Sequence, residues 1–207
     1  MTSPVEPTDL QLVERAAAGD RGARRVLFER HRDAAYRAAL RITARNEDAL
    51  DVVQDAFVKA FESLASFQRD SAFKTWLLRI VTNRALDLLR SRRVRRAASL
   101  DRRNDDDREP PDPPAPNAAD ADAAIERREL GERLRRALEE LPIEQRAVFA
   151  LYAEGEFTYD QIAKLLEVPI GTVMSRLFHA RRRLSDLLAD LAPGAERAEK
   201  TKKRVMP

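Results

Sequence analysis

Residues 157–184 read FTYDQIAKLLEVPIGTVMSRLFHARRRL, and their spacing predicts two short helices joined by a tight turn. Thr158 and Gln161 have the spacing of a capping box, in which two side chains satisfy backbone amides at the start of a helix. Pro169 cannot continue the first helix but suits the start of a second, where we expect Gly171 to allow close backbone approach. The segment is a predicted helix-turn-helix.

The second of these helices has two chemically different faces. An inward apolar stripe is predicted from steps of four, three and four residues, and it comprises Val173, Leu177, Ala180 and Leu184. The opposite face and its flanks carry hydroxyl, aromatic, imidazole and guanidinium groups: Thr172, Ser175, Arg176, Phe178, His179, Arg181, Arg182 and Arg183. Such a face suits the major groove of DNA, whereas arginines alone would indicate only a solvent-exposed basic helix. The capped two-helix pattern favours DNA binding.

Composition predicts an all-α protein with two small domains. Charged residues make up 35% of the 207-residue chain and aromatic residues only 6%, which is typical of helical architecture. The chain contains no cysteine, so disulfides, thiol redox chemistry and cysteine-ligated zinc are excluded. It also has no apolar run of the ~20 residues that a membrane span requires, and its first residues lack the pattern of a signal peptide. We therefore expect a cytoplasmic protein.

Helical periodicity in the first half predicts four helices. Their approximate ranges are 8–18, 21–44, 46–64 and 73–96. The first should bury Leu10, Val13 and Ala17. The third has an unbroken apolar stripe, and its other face carries Asp51, Gln54 and Asp55. These acids are explained either by the helix dipole, which favours negative charge at an N-terminus, or by a binding role.

A short break separates the third and fourth helices. Phe67, Arg69 and Phe73 surround it, next to a helix rich in arginine. Aromatic side chains with basic neighbours are a common means of holding unpaired bases, so this loop is a candidate for binding single-stranded nucleic acid. Trp76, the sole tryptophan, is more simply explained by packing.

The domain boundaries follow from the loss of periodicity in the middle of the chain. Residues 99–123 form a predicted disordered linker, since five prolines lie between Pro110 and Pro116 amid many aspartates. The N-terminal domain is then 8–98 and the C-terminal domain 124–192, with a basic tail at 193–207. The C-terminal domain should begin with a helix that buries Leu130, Leu134, Ala137, Leu138 and Leu141.

In this order the segments resemble the extracytoplasmic-function sigma factors of bacterial RNA polymerase. The resemblance covers residues 10–191 apart from the linker, and three segments carry it: DALDVVQDAFVKAF, SFQRDSAFKTWLLRIVTNRALDLLR, and LEELPIEQRAVFAL joined to the helix-turn-helix. Where many members carry basic residues on the second helix, this chain has Met174 and His179, so a promoter sequence does not carry over.

The resemblance implies that different segments bind the polymerase, the −10 element and the −35 element. The third helix would bind core polymerase through Leu50, Asp51, Gln54 and Asp55. The melted −10 element would be held by Phe67, Arg69, Asp70, Ser71, Phe73, Asn83 and Arg84. The helix-turn-helix would read the −35 duplex through Thr172, Ser175, Arg176, Phe178, His179, Arg182 and Arg183. The linker would thread toward the active site and RNA exit of the polymerase, and a separate anti-sigma factor would control the protein.

Two other functions compete with this interpretation. A free-standing helix-turn-helix regulator would bind duplex DNA by itself, commonly as a dimer on a palindrome. An enzyme such as a nuclease is disfavoured, because His31 and His179 are the only histidines and lie in different predicted domains. The acids also form no compact metal-binding motif, so neither a metal nor another cofactor is expected.

Overall fold

The computed structural model describes residues 6–67, 71–98, 121–155 and 157–189. Within these ranges the chain forms α-helices and one short 3-10 helix, and no strand, as the composition predicts. The helices are α1 Asp9–Ala17, α2 Arg21–Thr43, α3 Asn46–Glu62, the 3-10 helix Leu64–Ser66, α4 Phe73–Ala98, α5 Ala121–Glu139, α6 Ile143–Ala153, α7 Tyr159–Leu166 and α8 Ile170–Leu187. Most of the predicted linker and all of the tail lie outside the described residues, and α5 begins inside the predicted linker range.

Helices α1 to α4 form an N-terminal unit in which α2, α3 and α4 pack against one another. Their buried residues recur at helical spacing, as the predicted periodicity of these helices requires: Leu27, Ala35, Ala38 and Ile42 of α2, Val52, Ala56, Phe57 and Ala60 of α3, and Phe73, Leu77, Val81 and Ala85 of α4. Burial of each large apolar side chain contributes roughly 1.5–3 kcal/mol, so these stripes are the main source of stability in the unit.

The predicted inward face of α1 is right for Val13 and wrong for Leu10 and Ala17, which are exposed. The capping box of Thr8 fixes the start of the helix, but the buried residues are Leu12, Val13 and Ala16. Leu10 is 45% exposed. A nine-residue helix with five apolar positions fits two rotational phases, and the packing of α1 against α2 selects one of them.

Helices α5 to α8 form a C-terminal unit in which α8 packs against α6 and α7. The prediction for α5 is only half right, because Ala137, Leu138 and Leu141 are buried while Leu130 is 51% and Leu134 38% exposed. Only the end of α5 joins the buried cluster of this unit. Helical periodicity identifies an apolar face but not how much of its length finds a partner.

The two units pack directly against each other, mainly through α2 and α6. Ala44, which ends α2 in a left-handed conformation, is fully buried in one cluster with Leu138 and Ala180. Nearby, the side chain of Glu154 is 2% exposed and accepts hydrogen bonds from Arg37, at 3.2 Å, and from Arg41. A buried carboxylate with two guanidinium partners therefore joins the units.

Candidate nucleic-acid interface

The predicted helix-turn-helix is present as α7, a short turn and α8. Both bonds of the capping box form, with the Thr158 amide 2.8 Å from the Gln161 side-chain oxygen and the Gln161 amide 3.2 Å from the Thr158 hydroxyl. The turn itself is made by Glu167, whose φ of 54° is left-handed. Gly171 has open space where a Cβ would stand, so the expected close approach at this glycine is wrong.

Helix α8 is fixed by its inner face and presents the opposite face to solvent. Val173, Leu177, Ala180 and Leu184 are all buried, as the spacing predicts. On the other side Phe178 is 61% exposed, and Ser175, His179 and Arg182 are also exposed. This inner stripe orients the outward side chains, because rotation of α8 would expose it to water.

The polar groups on and beside this outer face differ in the hydrogen bonds, ion pairs and ring contacts that they already make within the protein. The Ser175 hydroxyl donates to the Thr172 carbonyl at 3.1 Å, which leaves its oxygen free to accept. Arg181 lies over the ring of Tyr152, 4.3 Å from its centroid. Arg183 is 3.4 Å from Glu140. Arg176 and Arg182 have no ion pair within the described part of the chain, so these two arginines have more freedom to contact another molecule than Arg181 or Arg183.

A second exposed polar surface lies on α3. Leu50 is 59% exposed, and Asp51, Gln54 and Asp55 are exposed beside it. The acids of the first turn are Glu47 and Asp48. Because the helix dipole acts mainly within the first turn, it explains those two acids better than Asp51 or Asp55.

Asp48 is a structural acid rather than part of that surface. Its side chain is 3% exposed and is held by Arg92 of α4 and by Arg45, whose Nε lies 3.8 Å away. Burial raises the pKa of Asp48, and both arginines oppose that rise. The ion pair between Asp48 and Arg92 fastens α3 to α4 and so fixes the angle between the exposed surfaces of these two helices.

The burial of Phe67 and Phe73 corrects the prediction that these two rings stack on bases. The two residues are 9% and 2% exposed. Their rings pack edge to face at 6.2 Å, and Phe67 also lies 5.2 Å from the ring of Trp76. We name Phe67, Phe73 and Trp76 the aromatic cluster; the rings of Phe67 and Phe73 are buried inside the protein, where they pack against each other and against Trp76.

The remaining residues predicted to contact the −10 strand are placed differently. Arg69 and Asp70 lie outside the described residues. Ser71 is half-buried, while Asn83 and Arg84 are exposed on α4. Arg84 forms an ion pair with Asp55, which brings together the two surfaces predicted separately on α3 and α4.

A cleft of about 500 Å³ separates the start of α4 from α7. Trp76 and Arg79 line it from the N-terminal unit, and Gln161 and Lys164 from the C-terminal unit. Sequence patterns gave no signal for this cleft, since its two walls are far apart along the chain. In this conformation one end of α4 therefore faces the other unit, whereas the outer face of α8 remains open.

The described residues contain no group of three or more side chains that could hold a metal ion. Among these residues, too, no helix is long and apolar enough to cross a membrane. The exposed faces of α3, α4 and α8 carry carboxylate, amide, hydroxyl, imidazole and guanidinium groups.

Comparison with known families assigns both units. The profile of Sigma-70 region 2 matches residues 27–95, and that of Sigma-70 region 4 matches residues 131–184. The first match runs from within α2 to within α4, and the second covers the second half of α5, then α6, α7 and most of α8.

Individual relatives and solved structures are similar to this chain over most of its length. The ECF RNA polymerase sigma factor SigM of Mycobacterium tuberculosis is 38% identical, covering 91% of this chain and 89% of the relative. The ECF RNA polymerase sigma-E factor of Escherichia coli is 36% identical, covering 89% and 96%. Among solved structures, CnrH in complex with the cytosolic domain of CnrY matches with a TM-score of 0.61 and 30% identity, over 89% of this chain and 99% of that one. The sigma factor RpoE of Bartonella quintana, in complex with the anti-sigma factor NepR, matches with a TM-score of 0.62 and 25% identity, over 80% of this chain and 96% of that one. This chain belongs to the extracytoplasmic-function sigma factors of RNA polymerase.

Proposed function

We propose that the protein is a dissociable initiation subunit, which binds core RNA polymerase and directs it to promoters by reading the −10 and −35 elements. One observation carries this best: the chain exposes a polar surface on α3 and α4 in addition to the DNA-reading face of α8. A free-standing regulator requires only the second of these. The polymerase performs the chemistry, so the subunit itself is not an enzyme, and it acts in the cytoplasm with the polymerase.

Core polymerase would bind α3 through Leu50, Asp51, Gln54 and Asp55. An exposed leucine beside two carboxylates and an amide offers an apolar contact surrounded by groups that fix orientation. The opposite side of the helix is committed to the core at Val52 and Ala56, so the helix keeps its place whether or not a partner is bound.

Helix α8 would enter the major groove at the −35 element. Ser175, His179 and Arg182 point outward and suit base edges, and Thr172 and Phe178 lie beside them, where their methyl and ring groups suit a thymine methyl. Arg176 and Arg183 are on the flanks, where phosphates of the two strands would lie.

The exposed side of α4 would hold the melted −10 strand. The Asn83 amide can both donate to and accept from a base edge, and Arg84 can contact phosphate. Ser71 stands at the start of this surface, with Arg69 and Asp70 preceding it in sequence. In this proposal Phe67 and Phe73 shape the surface without touching a base.

Control would come from a separate anti-sigma factor. CnrH is described with the cytosolic domain of CnrY, and RpoE of Bartonella quintana with the anti-sigma factor NepR. The likeness to both supports a partner of this kind for the present chain. The acidic linker at 99–123 would enter the polymerase, where its aspartates resemble a nucleic-acid chain in charge.

The test is charge reversal on α3. Asp51→Lys combined with Asp55→Lys should abolish co-purification with core polymerase while helix content, measured by circular dichroism, stays unchanged. The matched control is Glu29→Lys with Asp33→Lys on α2, because these two exposed acids have the same spacing of four residues and both carry an ion pair, as Asp55 does. Retention of polymerase by the α3 double variant would refute the proposed binding face.

A gel shift separates the two DNA-binding functions. The purified chain should bind promoter DNA weakly alone and tightly with core polymerase. Tight binding to a palindromic duplex without polymerase would instead favour the free-standing regulator.

A further inference from the structure

The N-terminal unit buries an imidazole that the proposed contacts do not use. His31 of α2 is 6% exposed. Its Nε2 atom lies 2.7 Å from Oδ2 of Asp9, the first residue of α1. The other Asp9 oxygen accepts from Arg30 at 2.6 Å, and Arg30 also donates to the Pro7 carbonyl at 3.2 Å. One carboxylate therefore fastens the start of α1 to α2 and fixes the orientation of the imidazole.

The same imidazole lies against the aromatic cluster. Its ring centroid is 5.3 Å from that of Phe73, the first residue of α4, and Phe73 lies 5.9 Å from Trp76. Helix α1 also packs against the 3-10 helix Leu64–Ser66 and against α4. Because protein interiors are close-packed, a displaced imidazole would move Phe73 and with it the start of α4.

We propose that Asp9 and His31 are positioning residues, which set the start of α4, and with it Ser71, for contact with the −10 strand. The proposal rests on the proposed function of α4. Neither residue needs to touch DNA; both act through Phe73.

The charge of His31 gives the arrangement a measurable signature. Burial lowers the pKa of His31, Asp9 of α1 opposes this, and Arg30 of α2 and Lys74 of α4 lower it further. Since the folded-state pKa is below the unfolded value of about 6.5, the stabilising contribution of the neutral imidazole is complete above that pH. It is lost as the pH falls through the lower, folded-state pKa, where a buried imidazolium forms against the aromatic cluster.

Trp76 is the sole tryptophan, so intrinsic fluorescence reports on the aromatic cluster. The first experiment records Trp76 emission of the full chain from about pH 8 to about pH 5, across the range in which histidine titrates. The wild type and His179→Gln should show a transition below about pH 6.5, whereas His31→Gln should not, because glutamine can donate to Asp9 without titrating. The proposal would be overturned if Trp76 emission of the wild type did not change with pH, or if His31→Gln showed the same transition as the wild type.

The second experiment uses the holoenzyme at about pH 7.5, where His31 is neutral. Asp9→Ala removes the acceptor and should reduce permanganate reactivity of the −10 thymines several-fold, with unchanged affinity for core polymerase and for a −35 duplex. Asp9→Asn keeps an acceptor oxygen and should restore melting close to the wild-type level.

The outcomes distinguish this proposal from the one on which it rests. Wild-type melting in Asp9→Ala, or an equal loss of polymerase affinity, would overturn the positioning role alone. A wild-type holoenzyme that leaves the −10 thymines unreactive would instead contradict the proposed function of α4.

Discussion

The two helices with proposed DNA contacts are held in different ways. Helix α8 places Phe178 outside, 61% exposed, over an inner stripe of aliphatic residues. Helix α4 places Phe73 inside, 2% exposed, as part of the aromatic cluster. The same residue type is thus a surface group in one helix and a support in the other. Its role depends on which neighbours the tertiary fold brings to it, and α8 should tolerate loss of its phenylalanine where α4 should not.

The largest effect that follows is a difference in stability between Phe73→Ala and Phe178→Ala. Truncation of a buried phenylalanine leaves a cavity and costs about 3–5 kcal/mol, so Phe73→Ala should destabilise the protein by this order. Phe178→Ala removes an exposed ring and should change the free energy of unfolding by less than about 0.5 kcal/mol. Urea unfolding followed by circular dichroism measures both.

Phe178→Ala, which should barely change stability, should change DNA binding. Phe178→Ala should weaken binding of the holoenzyme to a −35 duplex although the fold is intact. A destabilised Phe178→Ala, or a Phe73→Ala variant as stable as the wild type, would remove the distinction between the two helices.

Local periodicity was sufficient for most of the fold, and the reason is visible in α8. Steps of four, three and four residues place Val173, Leu177, Ala180 and Leu184 on one side of any α-helix, so the face follows from helix geometry alone. Phe67 lies outside any helix, where no such geometry applies, and its burial depends on Trp76 of α4.

Long-range ion pairs were beyond prediction for a related reason. Asp9 and His31 are 22 positions apart, and Arg41 and Glu154 are 113 apart. In a chain that is 35% charged residues, many equally plausible partners exist for each acid. Only the packing of α1 on α2, and of α2 on α6, selects among them.

A smaller effect should follow from loosening the contact between the units, and it should reach α4 but not α8. Glu154→Gln keeps the size of a side chain that is 2% exposed but removes its charge. Charge-assisted hydrogen bonds contribute about 1.5–3 kcal/mol, so packing between the units should weaken by that order. Because Trp76 lines the cleft that faces α7, acrylamide should then quench its fluorescence more strongly.

Glu140→Gln is the matched control for that change. Glu140 also pairs with an arginine distant in sequence, Arg183, but its side chain is 60% exposed. Exposed pairs contribute about 0–1 kcal/mol, and this variant should leave quenching of Trp76 unchanged. Equal quenching in the wild type and in Glu154→Gln would show that the buried carboxylate does not hold the units together.

The finest distinction lies within α8 itself, between its outer face and its flank. His179 is exposed on the outer face, and His179→Ala should cost about 1–3 kcal/mol at one −35 position while relaxing the preference there. Arg183 stands on the flank, 3.4 Å from Glu140, so Arg183→Ala should weaken all sequences alike and reduce the salt slope by about one. Binding of the holoenzyme to a library of −35 sequences, at two salt concentrations, measures both quantities together. Glu140→Gln releases Arg183 without removing it and should leave base preference unaltered. The opposite result would be an equal loss of affinity for all −35 sequences in His179→Ala and an altered base preference in Arg183→Ala. It would mean that α8 contacts the bases through its flank, although the buried stripe fixes how the helix is rotated in the protein.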